Sequence, residues 1–207
     1  MNLIEEIKTI INPAESKLKE KGSVFTCKAF HILTEEEAEE ILKKIRKEYF
    51  DATHHCFAYK LSSGILKYSD DGEPNGTAGL RIFNAIEHFG LSNCIVIVIR
   101  YFGGTKLGVG PLGKAYYESA FQTLQSADQI EQKLYLKVSL NFDFQMMSHC
   151  HRILSNHKAK ILESNYGAKV NLNCLVYAKE IERIKAELTE ISKGKIEILV
   201  KDEFCYQ

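Results

Sequence analysis

Ten of the thirteen glycines in this 207-residue chain lie in one stretch, from Gly64 to Gly113. Glycine accepts positive φ angles and lets two backbones approach closely, so we expect several tight turns in this stretch. After residue 126 glycine becomes sparse and regular apolar patterns take over. This change predicts two domains, residues 1–128 and 129–207, in a chain long enough for two small hydrophobic cores.

The composition is that of an ordinary globular protein, with 45% apolar and 26% charged residues. Basic and acidic residues balance at 27 each, so nucleic-acid binding would need a local basic patch. The first six residues lack the basic and apolar regions of a signal peptide, and the apolar run 94–99 is too short to cross a bilayer. We therefore expect a cytoplasmic protein with no membrane partner.

The six cysteines are too scattered to predict a disulfide framework or a zinc site. No Cys-x-x-Cys pair is present, and we expect reduced, mostly buried thiols. Two segments resemble metal clusters, but adjacent side chains diverge on a strand or helix and cannot converge on one ion. These segments are His54-His55-Cys56 and His149-Cys150-His151. They predict no metal site and no cofactor.

Strand patterns dominate the first part of the chain. The first thirty residues indicate strands, with a turn near residues 21–23. Residues 55–61 and 65–68 are also strand-like, and the Ser-Ser-Gly sequence between them is typical of a turn. We expect two hairpins here.

Thr34 opens the first predicted helix. The pattern Thr34-x-x-Glu37 is a capping box, in which each side chain accepts a hydrogen bond from the other residue's free amide. Apolar residues then recur at helical spacing and define one face. They are Ala38, Ile41, Leu42, Ile45 and Tyr49.

The glycine-rich stretch also contains regular elements. Residues 77–88 have helical spacing, and Gly90 follows where a left-handed C-cap would end that helix. Residues 94–99 are uniformly apolar, as in a strand covered on both faces. A loop over residues 102–110 leads to Pro111, which suits the first position of another helix.

After residue 129 the apolar pattern predicts strand, helix, strand, strand, helix, strand. The first of these strands alternates cleanly between apolar and polar positions. Its apolar residues are Leu134, Leu136, Val138, Leu140 and Phe142. The βαββαβ order is that of a ferredoxin-like domain, so the expected fold class is α+β.

The most informative polar cluster is an acidic turn before the helix predicted in the glycine-rich stretch. Asp70, Asp71 and Glu73 precede Gly76 and Thr77, where free helix amides are expected. Three interpretations remain open. The carboxylates cap the helix, they bind a divalent cation, or an anion binds the amides.

Two nucleotide-binding motifs nearly occur. Residues 108–114 have the Walker A spacing, but Ala115 follows where a Ser or Thr hydroxyl must hold magnesium. Residues 108–113 match the dinucleotide fingerprint, but the preceding strand ends near Tyr101, too far upstream for a Rossmann turn. Neither motif predicts a nucleotide.

Two longer segments resemble the signature of the IMPACT/YigZ family. They are Tyr-Ser-Asp-Asp-Gly-Glu-Pro-Asn-Gly-Thr-Ala-Gly at residues 68–79 and Arg-Tyr-Phe-Gly-Gly-Thr-Lys-Leu-Gly at residues 100–108. The similarity extends over residues 22–120, and the remainder resembles the small C-terminal domain of bacterial members. It implies a first domain folded like domain 2 of ribosomal protein S5. It also implies a ferredoxin-like second domain, similar to modules of translation elongation factor G.

The chain departs from the family pattern at five positions. Asn75 replaces a usual serine, Arg81 a proline and Pro111 a glycine. Gly113 and Lys114 replace an aliphatic residue and an arginine. Because lysine lacks the planar guanidinium group, we expect no bidentate phosphate contact at Lys114.

The resemblance implies a role in translation but carries over no catalytic mechanism. Eukaryotic relatives regulate translation under stress by competing for the activator of an initiation-factor kinase, and bacterial relatives are suspected nucleic-acid binders. We therefore expect a translation-associated binding protein that contacts RNA, the ribosome or a translation-regulating protein through its glycine-rich loops. The predicted contact residues are Asp70, Asp71, Glu73, Gly76, Thr77, Arg100, Gly103, Gly104, Lys106 and Lys114.

This hypothesis requires the acidic turn and the bend at residues 100–106 to fold into one concavity. The alternative is a divalent-metal-dependent hydrolase or transferase that uses Asp70, Asp71 and Glu73, with His55 as proton carrier. A third possibility is an adaptor whose second-domain sheet binds a partner protein.

Overall fold

The computed structural model describes residues 4–207, so residues 1–3 of the predicted strand region lie outside the described part. The described residues form two compact units, Ile7–Glu131 and Gln132–Gln207, and residues 4–6 belong to the second. Compact units are not the same as independently folding domains. The predicted domains 1–128 and 129–207 therefore stay a prediction.

The first unit is built on a five-stranded sheet with helices on both faces. In chain order the elements up to residue 126 are β1 (Glu6–Ile10), β2 (Ala14–Glu20), β3 (Ser23–His31), α1 (Glu35–Glu48), β4 (His54–Lys60), β5 (Leu66–Ser69), α2 (Gly79–His88), β6 (Cys94–Tyr101) and α3 (Val109–Ser126). The sheet has the order β2-β3-β6-β4-β5, and every neighbouring pair is antiparallel.

Strand β6 lies at the centre of this sheet and is covered on both faces, as its uniformly apolar sequence predicted. Successive side chains on a strand point to opposite faces, so alternate residues of β6 enter two different cores. Cys94, Val96 and Val98 pack with α2 and α3, whereas Ile95, Ile97 and Ile99 pack with α1.

Both predicted hairpins are present. Strands β2 and β3 pair from Ala14 opposite Ala29 to Glu20 opposite Ser23, and Gly22 in their turn has a φ of +84°. Strands β4 and β5 are likewise antiparallel neighbours.

Helix α1 follows Thr34 as predicted, but its cap is only half of a capping box. The Thr34 hydroxyl oxygen accepts a hydrogen bond from the amide of Glu37 (3.3 Å). The Glu37 carboxylate accepts from the amide of Leu33 (2.6 Å) rather than from that of Thr34. The reciprocal bond predicted from the sequence is therefore wrong, because Glu37 satisfies a free amide one residue further upstream.

Helices α2 and α3 begin at other residues than predicted. Helix α2 begins at Gly79, because the amide of Thr77 still bonds the carbonyl of Pro74 (3.0 Å) in the preceding turn. Helix α3 begins at Val109, which makes Pro111 its third residue. Proline is tolerated there because the first four helix amides have no intrahelical acceptor.

The second unit has the predicted βαββαβ order. Its elements are β7 (Gln129–Phe142), α4 (Met147–Asn156), β8 (Lys160–Tyr166), β9 (Val170–Tyr177), α5 (Ile181–Ser192) and β10 (Glu197–Tyr206). In this sheet β7 pairs with β9 and β10, and β9 with β8, all antiparallel, while β1 also lies beside β7 as a fifth strand. Helices α4 and α5 pack on one face of the sheet. The α+β fold class is therefore confirmed.

No helix between residues 4 and 207 combines the length and apolar character needed to cross a membrane.

Candidate functional site

The acidic turn between β5 and α2 is closed by the carboxylate of Asp70. Its Oδ1 accepts hydrogen bonds from the amides of Ala78 (2.9 Å) and Gly79 (2.8 Å), and its Oδ2 accepts one from the amide of Gly76 (2.8 Å). Ala78 is the N-cap residue of α2 and makes no side-chain cap of its own. Asp70 therefore caps the helix, and these amides have no free N–H for an external anion.

Thr77 also acts within the turn. Its side chain is buried, and its hydroxyl donates to the carbonyl of Pro74 (2.6 Å). Thr77 is therefore a structural residue of the turn rather than an exposed contact residue.

Asp71 connects the turn to β4 and α1. Its Oδ2 accepts from the amide of His55 (2.6 Å), and its Oδ1 accepts from Nη2 of Arg46 (3.0 Å). The ring of His55 is buried, with Nδ1 at 3.9 Å from the Asp71 carboxylate and Nε2 at 3.0 Å from the carbonyl oxygen of Tyr49. His55 thus approaches one of the three acidic side chains, but its ring is already engaged by the backbone.

Glu73 forms a buried ion pair with Arg100, which lies near the end of β6. The distance from Arg100 Nη1 to Glu73 Oε1 is 2.5 Å, and both side chains are almost completely buried. The Arg100 guanidinium also lies over the rings of Phe25 and Phe102, at 5.3 and 5.6 Å from the ring centroids. This pair holds the acidic turn against the start of the later bend.

Tyr116 on α3 extends this buried network. Its hydroxyl donates to Glu73 Oε1 (2.7 Å), and the thiol of Cys56 lies 3.3 Å from the same hydroxyl. Burial, together with the neighbouring Cys56 and Glu73, raises the pKa of Tyr116 well above its ordinary value. Burial likewise raises the pKa of Cys56. Both groups therefore keep their protons at neutral pH and act as hydrogen-bond donors.

Gly22 and Gly103 bring the β2–β3 turn against the bend that follows β6. A Cβ atom on Gly103 would lie 1.9 Å from the carbonyl carbon of Gly22, so the two backbones are in direct contact. The amide of Gly103 and Nη2 of Arg100 both donate to the hydroxyl of Ser23, each at 3.2 Å. The bend is thus fixed by backbone contact and by a shared hydroxyl.

A cleft of about 380 Å³ opens above the Glu73–Arg100 pair. We call it the Arg100 cleft, and it is lined by His54, Glu73, Pro74, Arg100, Phe102, Lys106, Leu107, Gly108, Val109 and Leu112. Phe102 and Val109 on its rim are 45% and 67% exposed. The acidic turn and the 100–106 bend therefore do line one concavity, as the sequence hypothesis required.

The N-terminus of α3 is part of this cleft. Its N-cap residue, Gly108, has a φ of +85° and no capping side chain, and the first turn contains no acidic residue. The amide of Leu112 bonds the carbonyl of Gly108, and Pro111 has no amide hydrogen, which leaves the amides of Val109 and Gly110 at the helix start. The helix dipole makes this end favourable for an anion.

Lys114 lies outside the Arg100 cleft. It lines a second concavity on the first unit, which we call the Arg81 groove and which is formed by Arg81, Asn84, Gly110, Gly113, Lys114 and Tyr117. Gly104 is exposed and lines neither concavity. Of the ten predicted contact residues, the cleft brings together Glu73, Arg100 and Lys106.

The carboxylates of the acidic turn do not converge on one point. Asp70 binds helix amides, Asp71 binds β4 and Arg46, and Glu73 binds Arg100 and Tyr116. Between residues 4 and 207 no group of three or more His, Cys, Asp or Glu side chains is placed to hold a metal ion. The structure thus gives the metal-dependent alternative no ligand set.

The Walker-like spacing is not a phosphate-binding loop. Gly113 and Lys114 lie inside α3, whereas a P-loop needs both at the junction of loop and helix. The departure at Gly113 has another consequence, because its Cβ would lie 3.2 Å from Nε of Arg81. Two positions that depart from the family pattern therefore lie against each other.

Sequence reasoning missed several residues of the cleft. His54, Phe102, Leu107 and Val109 line it but were not predicted as contacts. His54 could have been found from alternation, since it and the buried His55 must leave β4 on opposite faces. Phe102 lies within the resembling segment but carries no charge to single it out.

Together the fold and the cleft define a two-unit α+β protein in which the N-terminus of one helix, α3, lines a partly apolar cleft. Residues 21–124 match the family model of the Impact N-terminal domain, and residues 140–195 match that of the domain of unknown function DUF1949. The chain belongs to the IMPACT family.

Full-length relatives agree with this assignment. The chain is 32% identical over 192 residues to the IMPACT family member YvyE of Bacillus subtilis (strain 168), covering 92% of this chain and 88% of the relative. It is 30% identical over 187 residues to the IMPACT family member YigZ of Escherichia coli (strain K12), covering 88% and 92%. A crystal structure described as that of a hypothetical protein superposes with a TM-score of 0.70 at 29% identity, covering 97% of this chain and all of the other.

Proposed function

We propose that this protein is a cytoplasmic, translation-associated binding protein that takes a short single-stranded RNA segment at the Arg100 cleft. The observation that carries the proposal is the juxtaposition of the exposed Phe102 ring, the Lys106 side chain and the uncapped start of α3 at one cleft. Membership of the IMPACT family supplies the connection to translation.

The Phe102 ring offers a surface on which a base can stack. Proteins recognise single-stranded RNA largely by stacking unpaired bases on aromatic side chains. Each such contact contributes about 1–3 kcal/mol and tolerates any base, since every base has a π face. Val109 and Leu107 extend the apolar lining beside the ring.

A phosphate group would be held at the start of α3. The amides of Val109 and Gly110 and the dipole of an 18-residue helix favour an anion there, and Lys106 adds a full positive charge beside the cleft. With only these contacts we expect one or two neutralised phosphates. The affinity should therefore fall only roughly three- to sevenfold between about 50 and 200 mM salt.

Arg100 supports the cleft and is not the phosphate ligand that the sequence suggested. Arg100 as a whole residue is only 5% exposed, and its guanidinium is already paired with Glu73. Breaking a buried pair costs about 3–5 kcal/mol. A charged hydrogen bond to phosphate returns only about 1.5–3 kcal/mol, so the pair stays intact when ligand binds.

Fluorescence anisotropy with a labelled single-stranded RNA of about 12 nucleotides tests the proposal. Phe102→Ala should weaken binding about tenfold, and Lys106→Ala about two- to fivefold. Lys114→Ala is the matched control, because it also removes one lysine, but that lysine lies in α3 and lines the Arg81 groove instead of the cleft. Circular dichroism checks that each variant is folded. Wild-type affinity in Phe102→Ala, or an equal loss in Lys114→Ala, would contradict the proposal.

A further inference from the structure

Two tyrosines occupy the open face of the second unit's sheet. Tyr135 on β7 lies directly opposite Tyr177 on β9 in the antiparallel register. Their neighbours Leu136 and Val176 pack into the core beneath α4 and α5. Because side chains alternate along a strand, both tyrosines leave the sheet on the face opposite those helices. Their ring centroids are 6.1 Å apart, with a tilt of 45° between the planes.

Lysines surround the two rings. Lys160 Nζ lies 4.9 Å from the centroid of Tyr135, and Lys133 Nζ lies 5.3 Å from that of Tyr177. Lys133, Lys158 and both tyrosines also line a cavity of about 310 Å³ at the end of these strands, together with Asn156, His157 and Glu180. We call the two rings with these three lysines the tyrosine platform.

The lysines of the tyrosine platform form no short ion pair, although Lys133 attracts the Glu6 carboxylate and helps to lower its pKa. Within residues 4–207, Lys133, Lys158 and Lys160 are not ion-paired with any carboxylate, and Lys160 donates only to the amide oxygen of Gln207. The nearby carboxylates are engaged by other groups. Glu6 accepts from the Tyr177 hydroxyl and pairs with Lys179, whereas Glu180 pairs with His157. The surface is therefore complementary to a polyanion.

We propose that the tyrosine platform is a second binding surface for single-stranded RNA. Adjacent bases stack on Tyr135 and Tyr177, while Lys133, Lys158 and Lys160 contact the phosphates beside them. Four-stranded sheets with aromatic residues on their open face bind RNA bases in this manner. The choice of RNA rests on the proposed function, but the platform does not depend on the Arg100 cleft.

Ligand binding at the platform exchanges contacts rather than only adding them. In the free protein each ring attracts an ammonium group to its π face. A stacked base takes that face, and the displaced lysine can reach a phosphate of the same strand. Along this face the pair next to the tyrosines is Lys137 and the buried Leu175, and polar pairs follow further along the strands, Ser139 with Asn173 and Asn141 with Asn171. The hydroxyl and amide side chains can hydrogen-bond to base edges, and the exposed Leu199, opposite Ser139 on β10, adds apolar area to the same face.

Paired substitutions in the full-length protein test the platform. In anisotropy measurements with a labelled 12-nucleotide oligouridine RNA, Tyr135→Ala and Tyr177→Ala should each weaken binding about tenfold. Tyr135→Phe and Tyr177→Phe keep the ring and should bind within about twofold of the wild type. Tyr166→Ala removes a 62% exposed ring of β8 from the opposite face and should have no effect. Folded Tyr135→Ala and Tyr177→Ala variants that bind as well as their parent protein, both in the wild type and in the cleft-deficient protein described next, would overturn the proposal.

The two RNA sites can be told apart by repeating the measurement in a Phe102→Ala/Lys106→Ala protein. RNA binding that persists in this protein, and is then lost with Tyr135→Ala/Tyr177→Ala, supports the platform whatever the fate of the Arg100 cleft. If the cleft variant has already lost all binding, the platform proposal fails while the proposed function stands. DNA of matching sequence bound equally well would overturn the assignment to RNA.

Ultraviolet crosslinking with RNA that contains 5-iodouridine gives a readout that does not depend on variants. Mass spectrometry should find the crosslinks on peptides that contain Tyr135 and Tyr177. Crosslinks confined to the peptide that contains Phe102 would overturn the platform and support the cleft alone.

Discussion

Arg100 and Glu73 are separated by 27 positions in the sequence but form a buried ion pair with 2.5 Å between Nη1 and Oε1. The pair joins the turn before α2 to the end of β6. Tyr116 from α3 completes it by donating to the same carboxylate oxygen. Three separate parts of the first unit are therefore linked at the Glu73 carboxylate. Both the stability of the fold and the shape of the cleft depend on this carboxylate.

Removing one member of this pair should be costly. Arg100→Ala leaves the buried Glu73 charge uncompensated, and we expect the free energy of unfolding to fall by about 3–5 kcal/mol in urea titrations. Lys60→Ala is the matched control, because it breaks an exposed 2.6 Å pair with Glu87 and should cost no more than about 1 kcal/mol. Similar losses of unfolding free energy in the two variants would show that the buried pair contributes no more to stability than the exposed one.

The contact between Gly22 and Gly103 leaves no room for a side chain. Gly103→Ala must push the two backbones apart, so we expect a loss of at least about 2 kcal/mol in the free energy of unfolding. Gly110→Ala, where a Cβ meets nothing within 4 Å, should be neutral or stabilise by about 0.4–1 kcal/mol. Urea titration of both variants compares a glycine whose Cβ would clash with backbone with a glycine whose Cβ would point into free space. The prediction is contradicted if Gly103→Ala is tolerated as well as Gly110→Ala.

Asp70 should be a stronger cap than an ordinary N-cap residue. Asp70→Ala leaves three amides without their acceptor, and we expect a loss of about 2 kcal/mol or more in the free energy of unfolding. Asp70→Asn keeps one carbonyl oxygen and should lose less. Thr34→Ala, which removes a cap on a single amide of α1, should cost about 1 kcal/mol. The idea is refuted if thermal or urea unfolding ranks Thr34→Ala as the more damaging change.

His157 should make stability depend on pH. Burial alone lowers its pKa, but hydrogen bonds to Glu187 and Glu180 outweigh burial, and the pKa is raised above its ordinary value of 6.5. The protonated form is favoured in the folded state, so this stabilisation is complete below the ordinary pKa and is lost as pH rises through the raised pKa. His157→Gln should therefore destabilise more at about pH 5.5 than at about pH 8.5 in urea titrations.

His31 gives the opposite sign and serves as the control for that experiment. Burial lowers its pKa, against a smaller opposing effect of Glu37. Protonation therefore favours the unfolded chain, and His31→Asn should be less harmful at acidic than at alkaline pH. Equal pH dependence in the His157 and His31 variants would contradict both assignments.

The thiols should differ sharply in reactivity. Burial raises the pKa of Cys27 and of Cys94 to about 12 each, and the thiolate is the reactive form. Cys205 is the partly exposed cysteine and should react first with an aromatic disulfide reagent at mildly alkaline pH. Cys205→Ser should remove the fast phase, and unfolding in denaturant should expose the remaining thiols. Several fast-reacting thiols in the folded wild type would contradict this order.

Elements with a strong local pattern were predictable from the sequence. The apolar run of β6 and the alternation of β7 both indicate strands. A strand covered on both faces has apolar residues throughout, and a strand covered on one face has them at every second position. The unit that contains β7 accordingly has the predicted element order. Helix starts were less predictable because Asp70 caps α2 from eight positions before Ala78, outside the usual capping motif.

The cleft was only partly predictable, because its chemistry depends on contacts that are distant in sequence. Nothing local indicates that Arg100 is buried and paired, since that follows from the position of the acidic turn beside β6. Lys114 could have been assigned correctly. Leu112 faces the cleft, and two residues along a helix turn the side chain by about 200°, so Lys114 must face away.

The Glu73–Arg100 pair also has a consequence for the diversification of this fold. Opposite charges cancel at the base of the cavity, so the base attracts neither cations nor anions at long range. Under the proposed function, discrimination among ligands is therefore left to the rim, at Phe102, Lys106 and Val109, which are exposed. Related proteins can acquire new ligands by changing these three positions while the interior remains the same.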